Sequence, residues 1–151
     1  MELSSIHIAI LADSACQEVG DRKSEMNMSP EQIETDIATY WLEDGLLVSR
    51  SKSVKRTVDN LRESHKIIKQ MTGGKKLPHL VFLTRSAVPD KDAREFSTAS
   101  LPELYTAMAL VSSGGLGTFI MNLLFKMKPP TVPMRSFSNE ADAREWLKGY
   151  M

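Results

Sequence analysis

Ile37-Ala38-Thr39-Tyr40-Trp41-Leu42-Glu43-Asp44-Gly45-Leu46-Leu47-Val48 is the stretch on which the fold turns. Two β-favouring runs, 37–42 and 46–48, flank Glu43-Asp44-Gly45. Aspartate followed by glycine supplies the positive φ that a tight hairpin requires, so the stretch predicts an antiparallel pair. An antiparallel pair followed by alternating helical and apolar segments points to a mixed sheet with helical crossovers.

The segments downstream supply that alternation. Val54, Val58, Leu61, His65, Ile68 and Met71 recur at spacings of four and three, which places them along one helix face. Lys55, Arg62, Lys66 and Lys69 fall largely on the solvated side, and Thr72-Gly73-Gly74 ends the helix. Leu80-Val81-Phe82-Leu83, after Pro78, is a short apolar run that predicts a strand covered on both faces. Residues 86–99 are polar, with a short helical turn expected over 93–96. Ser100-Leu101-Pro102-Glu103 matches a capping box and predicts a helix that buries Leu101, Leu104, Tyr105, Met108 and Val111.

Ser112-Ser113-Gly114-Gly115 breaks that pattern, and residues 116–127 read as a further helix with Phe119, Ile120, Leu123, Leu124 and Met127 on one face. Prolines 129, 130 and 133 lead into a short strand over 132–137. Ser138 or Asn139 then caps a last helix with Trp146-Leu147 turned inward. Upstream of the hairpin, Ile6, Ile8 and Ile10 alternate with His7 and Ala9 as in a short strand, and 12–30 lack sustained periodicity. The expected organisation is an acidic arm or peripheral element over 1–33 and an α/β domain over 34–151. Its mixed sheet would have about four to five strands with helices packed against it.

Composition narrows the function classes. The chain has 151 residues, 42% hydrophobic and 25% charged, enough for one domain with a real core. Cys16 is the single cysteine, so neither an intrachain disulfide nor a cysteine-based metal site is expected, and a reducing, cytoplasmic setting fits best. No apolar run reaches the length of a bilayer span. Net charge is zero, which provides no overall field for nucleic acid. The charge is nonetheless split. Residues 1–45 hold ten acids and two bases, and 46–85 hold ten bases and two acids. The two blocks either face each other in the fold or mark a partner surface.

Three stretches carry a resemblance: the hairpin running into Leu80–Leu83, Asp92-Ala93-Arg94-Glu95-Phe96, and the long close from Asn122-Leu123-Leu124-Phe125 through Pro133-Met134-Arg135-Ser136-Phe137-Ser138-Asn139-Glu140 to Trp146-Leu147. Over about residues 34–149 the chain resembles an uncharacterised bacterial family of STAS/SpoIIAA-like domains. The resemblance implies a sandwich of sheet and helices. Relatives of that shape include anti-sigma-factor antagonists, switched by phosphorylation of a serine in an Asp-Ser-Ser-Gly-type element at a strand-to-helix junction. This chain has Asp90-Lys91-Asp92-Ala93 there, with no hydroxyl at the natural position, and Ser86 and Ser97 do not match the motif. The phosphoswitch is therefore not carried over.

Candidate chemistry is sparse. His7, His65 and His79 are far apart and none has ligand spacing with an acid, so no metal or cofactor is expected. Asp90, Asp92, Arg94 and Glu95 follow a buried strand, and ligands of open α/β sheets bind beyond the carboxyl ends of strands. The simpler reading is a salt-bridged clamp. Gly114-Gly115-Leu116-Gly117 follows a helix rather than a strand and reads as a flexible joint, not a phosphate cradle. Asn122 sits in an otherwise apolar helix, where a buried amide must find partners or line a pocket.

The candidate binding or interaction residues are thus Arg85, Asp90, Asp92, Arg94 and Asn122, with no catalytic residue among them. The first expectation is a non-enzymatic STAS-like regulatory module that self-associates or docks a protein partner through a sheet edge or helix face. The alternative is a carrier of a small apolar molecule or lipid, with Asn122, Tyr105 and Met108 lining its cavity. A third is an enzyme using Asp90, Asp92 and Arg94.

Overall fold

The computed structural model describes residues 30–125 and 129–151. Within them a compact unit runs from Glu31 to Met151. The candidate strand over 6–10, Cys16 and most of the acidic arm lie outside the described residues. Among the described residues, six strands form one sheet in the order β1-β2-β3-β4-β5-β6. These are β1 (Ile33–Glu34), β2 (Ala38–Glu43), β3 (Leu46–Ser51), β4 (Leu77–Phe82), β5 (Tyr105–Val111) and β6 (Met134–Phe137). The pairs β1·β2 and β2·β3 are antiparallel, and β3 to β6 run parallel.

The hairpin forms as its residues dictate. Asp44 (φ 52°) and Gly45 (φ 79°) both take the left-handed region, and Glu43 pairs with Leu46 across a two-residue turn. Three helices make the parallel crossovers: α1 (Val58–Thr72), α2 (Lys91–Leu104) and α3 (Leu116–Leu124). A fourth, α4 (Glu140–Leu147), follows β6 and leads into a 3₁₀ turn, Lys148–Tyr150. Right-handed crossovers between sequentially adjacent parallel strands place all their helices on one side. Accordingly Ile68, Leu101 and Leu104 pack with Tyr40, Leu47, Val81, Met108 and Leu110 on one face of the sheet. On the opposite face, Ala143 and Leu147 of α4 pack on Trp41, Val48, Leu80, Ala107 and Ala109.

The helix caps follow local chemistry. Thr57 and Asn60 form a reciprocal capping box, and α1 starts at Val58, four residues after Val54, where the apolar periodicity begins. Gly73 closes α1 at φ 65°. Asn139, not Ser138, caps α4 by accepting from the Asp142 amide.

Three expectations are corrected. Residues 105–111 form a buried parallel strand, not the second half of a helix. The register slips between Leu77 and Pro78, which pair with Tyr105 and Ala107, leaving Thr106 as an extra residue. That irregularity puts Tyr105 on the same face as Met108 and Leu110, so an i, i+3 spacing arises within a strand. The helix begins instead at Lys91 and spans the segment read as a loop, with the Ser100 hydroxyl bonding the Phe96 carbonyl rather than capping. With β1 and β5 included, the described sheet has six strands rather than four or five.

Candidate ligand-binding cleft

β3, β4 and β5 end together beneath the helices, and the space above their carboxyl ends is a cleft of about 740 Å³. That size lies within the range of small-molecule sites. Val81, Leu83, Met108 and Leu110 form much of its floor. Its walls are the β4–α2 loop with the first turns of α2, and the apolar stripe Leu116, Ile120, Leu123 and Leu124 of α3. Val88 and Phe119, 51% and 53% exposed, stand on its lip.

Polar groups hold the cleft's floor and mouth. Ser49 Oγ lies 2.9 Å from His79 Nε2, both side chains buried. Ser51 Oγ accepts from the Thr84 amide at 2.7 Å and so ties down the start of the β4–α2 loop. Ser64 donates to Thr35 Oγ1 at 3.1 Å, and Thr35 Oγ1 donates to the Ala38 carbonyl at 2.9 Å, which fixes the entry to β2 beneath α1. Arg56 reaches the Ile37, Lys52 and Val54 carbonyls and the Ser86 hydroxyl, all at 3.2–3.4 Å. Its acceptors are all neutral, and burial lowers its pKa, with the nearby Tyr40 opposing.

His79 is fully buried, and that burial pushes its pKa down to about 3. Burial raises the pKa of Tyr40 and, more strongly, of Tyr105, whose ring centroid lies 4.5 Å from that of His79. His79 Nδ1 has no hydrogen-bond partner among the described residues. Ser49 and His79 therefore lack the third group that orients and charges a catalytic imidazole. A histidine held neutral this far below neutral pH is also a poor general base.

The residues expected from sequence divide. Arg85 and Arg94 both line the cleft mouth. Arg94 Nη1 donates to the Pro89 carbonyl at 2.6 Å and has no carboxylate within salt-bridge distance among the described residues. The expected clamp is thus a side chain to backbone tie, and the neighbouring Glu95 instead stands 3.9 Å from Lys91. Asp90 is the N-cap of α2, accepting from the Ala93 amide at 3.0 Å. Asp92 is exposed and does not line the cleft. Asn122 is a correction: it is exposed, not buried, and is not part of the lining that the described residues form. Met108 lines the cleft as expected, whereas Tyr105 borders a smaller recess with His65, Phe96 and Ser100.

The glycine stretch is likewise specific. Gly114 and Gly115 turn at positive φ on the cleft lip, and the Gly117 amide is taken by Ser112 Oγ at 2.9 Å. A Cβ on Gly117 would collide with Ser136 of β6, so this glycine permits close packing of α3 on the sheet. Sequence reading missed Ser49, Ser51, Arg56 and His79. The available signal was the two-residue spacing of Leu47, Ser49 and Ser51, which puts both serines on the face of Leu47, and a histidine inside an apolar strand.

Among the described residues, no group of three or more His, Cys, Asp or Glu side chains is placed to hold a metal ion. No helix among them is long and apolar enough to cross a membrane. A family model described as a domain of unknown function, DUF7793, matches residues 40–151. None of the curated proteins matches the chain. Among solved structures, the chain is similar to an uncharacterised protein of the DUF3478 family with a SpoIIAA-like fold from Shewanella loihica PV-4. The two share 14% identity, the match covers 79% of this chain and 92% of that one, and the TM-score is 0.51. The architecture is therefore an α/β SpoIIAA-like fold with a mixed six-stranded sheet and four helices among the described residues.

Proposed function

This chain belongs to the DUF7793 family, and from that premise and the geometry of the cleft we propose that it is a non-enzymatic binding module for a small, largely apolar ligand. One observation carries the reading: a cleft of about 740 Å³, walled mainly by aliphatic side chains, opens where the parallel strands end. The exposed Val88 and Phe119 at its lip extend the apolar surface to the entrance.

The geometry favours binding over chemistry. Asp90 is engaged as a helix cap, Asp92 is exposed and not part of the lining, and His79 is held neutral with no partner for Nδ1 among the described residues. A module that only docks proteins needs no such cavity. Its simplest route, addition of a strand to a sheet edge, has short ladders to work with, since β1 has two residues and β6 has four. A single cysteine suits a cytoplasmic setting for this role.

The test is native mass spectrometry of gently purified full-length protein, followed by thermal-shift measurements across fatty acids, alkyl phosphates, alcohols and sterols. Bound small molecules, or a concentration-dependent rise in Tm with at least one apolar class, are the expected result. Apo protein with no shift across the whole set would overturn the reading.

A further inference from the structure

The charged groups that line the cleft are of one sign. Arg56, Arg85 and Arg94 stand at its mouth, and among the described residues no aspartate or glutamate is part of the lining. The chain as a whole balances 19 bases with 19 acids, so three cations around one cavity without an acid is a local departure from the average. Nor, among the described residues, does an acid pair with these arginines from behind. Among the described residues, the partners of Arg56 are backbone carbonyls and a serine hydroxyl, and that of Arg94 is the Pro89 carbonyl. Arg85 is exposed on the loop between them.

Guanidinium groups gathered at the rim of an apolar cavity, bonded only to neutral acceptors, keep donors and charge for an incoming anion. The floor below them is uncharged: Val81, Leu83, Met108 and Leu110 with a neutral His79. The two halves select opposite ends of one molecule.

We propose that the cleft binds a single-chain amphiphile, its oxyanion head held by Arg85 and Arg94 beside Arg56 and its hydrocarbon tail laid along α3. This rests on the binding-module reading and adds the ligand's charge and polarity. Arg56 also braces the β2 entry and the β4–α2 loop, so its loss would disturb the mouth itself. Arg85 and Arg94 are the residues to test. Arg85 has no such structural bond among the described residues, which makes it the variant less exposed to misfolding.

The experiment is isothermal titration of the full chain with dodecanoate, dodecyl phosphate, dodecanol, dodecyltrimethylammonium and inorganic phosphate. Dodecanoate or dodecyl phosphate is expected to bind at least tenfold tighter than dodecanol, and the cationic amphiphile and inorganic phosphate to bind weakly. The better of the first two identifies the head as carboxylate or phosphate. Arg85→Gln and Arg94→Gln should each weaken the anionic amphiphile about tenfold and leave dodecanol unchanged. Equal binding of dodecanol and dodecanoate, insensitive to both variants, overturns the anionic head and leaves the apolar cleft standing. Inorganic phosphate binding as tightly as dodecyl phosphate also overturns it, because the tail would then contribute nothing. Failure of every probe removes both proposals.

Discussion

On the α4 face of the sheet, Val48, Leu80, Ala107, Ala109 and Leu147 pack together, and no polar side chain is buried among them in the described residues. The face beneath α1, α2 and α3 uses the alternate residues of the same strands and is built otherwise. There Leu47, Val81 and Leu110 share the surface with buried Ser49, Ser51 and His79, with Ser64 and Thr35 above them. Successive side chains of a strand point to opposite faces, so β3 and β4 supply both environments from adjacent positions. Among the described residues, one face is dry and covered by α4. The other keeps polar groups and a cleft, which stability alone does not require. The division teaches where stability and binding reside: changes on the α4 face should act on folding, and changes at the cleft mouth on affinity.

The largest effect should come from the dry face. Leu80 has no exposed surface and packs in the cluster beneath α4. Leu80→Ala removes buried methyl groups and leaves a cavity in a site walled by alanines and a helix, a loss of about 3 kcal/mol. Urea unfolding followed by circular dichroism measures it. While the variant remains folded, its affinity for a cleft ligand should match that of the parent. A tenfold affinity loss in the folded variant would break the division between the faces.

The next effect belongs to the polar face and depends on pH. His79 titrates near 3 in the fold because burial opposes its charge, against an ordinary value of about 6.5 in the unfolded chain. Between these values the unfolded chain binds the proton and the folded protein does not, so acid favours unfolding. The contribution is neutral above pH 6.5. It falls by about 1.4 kcal/mol per unit as the pH drops from there toward 3. Unfolding midpoints at pH 7.5, 6.0 and 5.0 should therefore decline, with a shallower decline in His79→Gln. Parallel curves for the two proteins would place His79 in contact with water.

How far these two environments could be read from the sequence depends on the distance over which each signal acts. Asp44-Gly45 and Gly73 announce themselves because positive φ is a local requirement. The α1 stripe and the cap of α4 are local too. β5 imitates a helix in the sequence because a slip in its pairing with β4 moves Tyr105 onto the face of Met108 and so creates a three-residue spacing. The first half of α2 is hidden in the sequence because its cap, Asp90, sits in a polar stretch that resembles a loop. A positional rule, the carboxyl end of a buried strand, singles out Asp90, Asp92, Arg94 and Glu95 together, and of these four only Arg94 is among the cleft's lining residues. Ser49 and His79 are thirty residues apart, and only the parallel pairing of β3 with β4 brings them within 2.9 Å. No local pattern could have joined them.

The smallest expected effect concerns Asn122, and it tests how α3 is turned against the cleft. The apolar stripe Leu116, Ile120, Leu123 and Leu124 faces inward. Asn122 lies two residues beyond Ile120, about 200° around the helix at about 100° per residue, and is exposed. An amide in that position has water for its partners, so removing it strands nothing. Asn122→Ala also replaces a poor helix former with the best one, which should raise stability by up to about 0.5 kcal/mol. Affinity for a cleft ligand should not change. Thermal unfolding and titration of this single variant check both statements. A loss above about 1 kcal/mol together with weakened binding would mean that α3 is rotated, with the amide inside and part of its apolar stripe turned to solvent. An unchanged or slightly raised Tm keeps the wall of the cleft aliphatic and leaves its polarity to the arginines at the mouth.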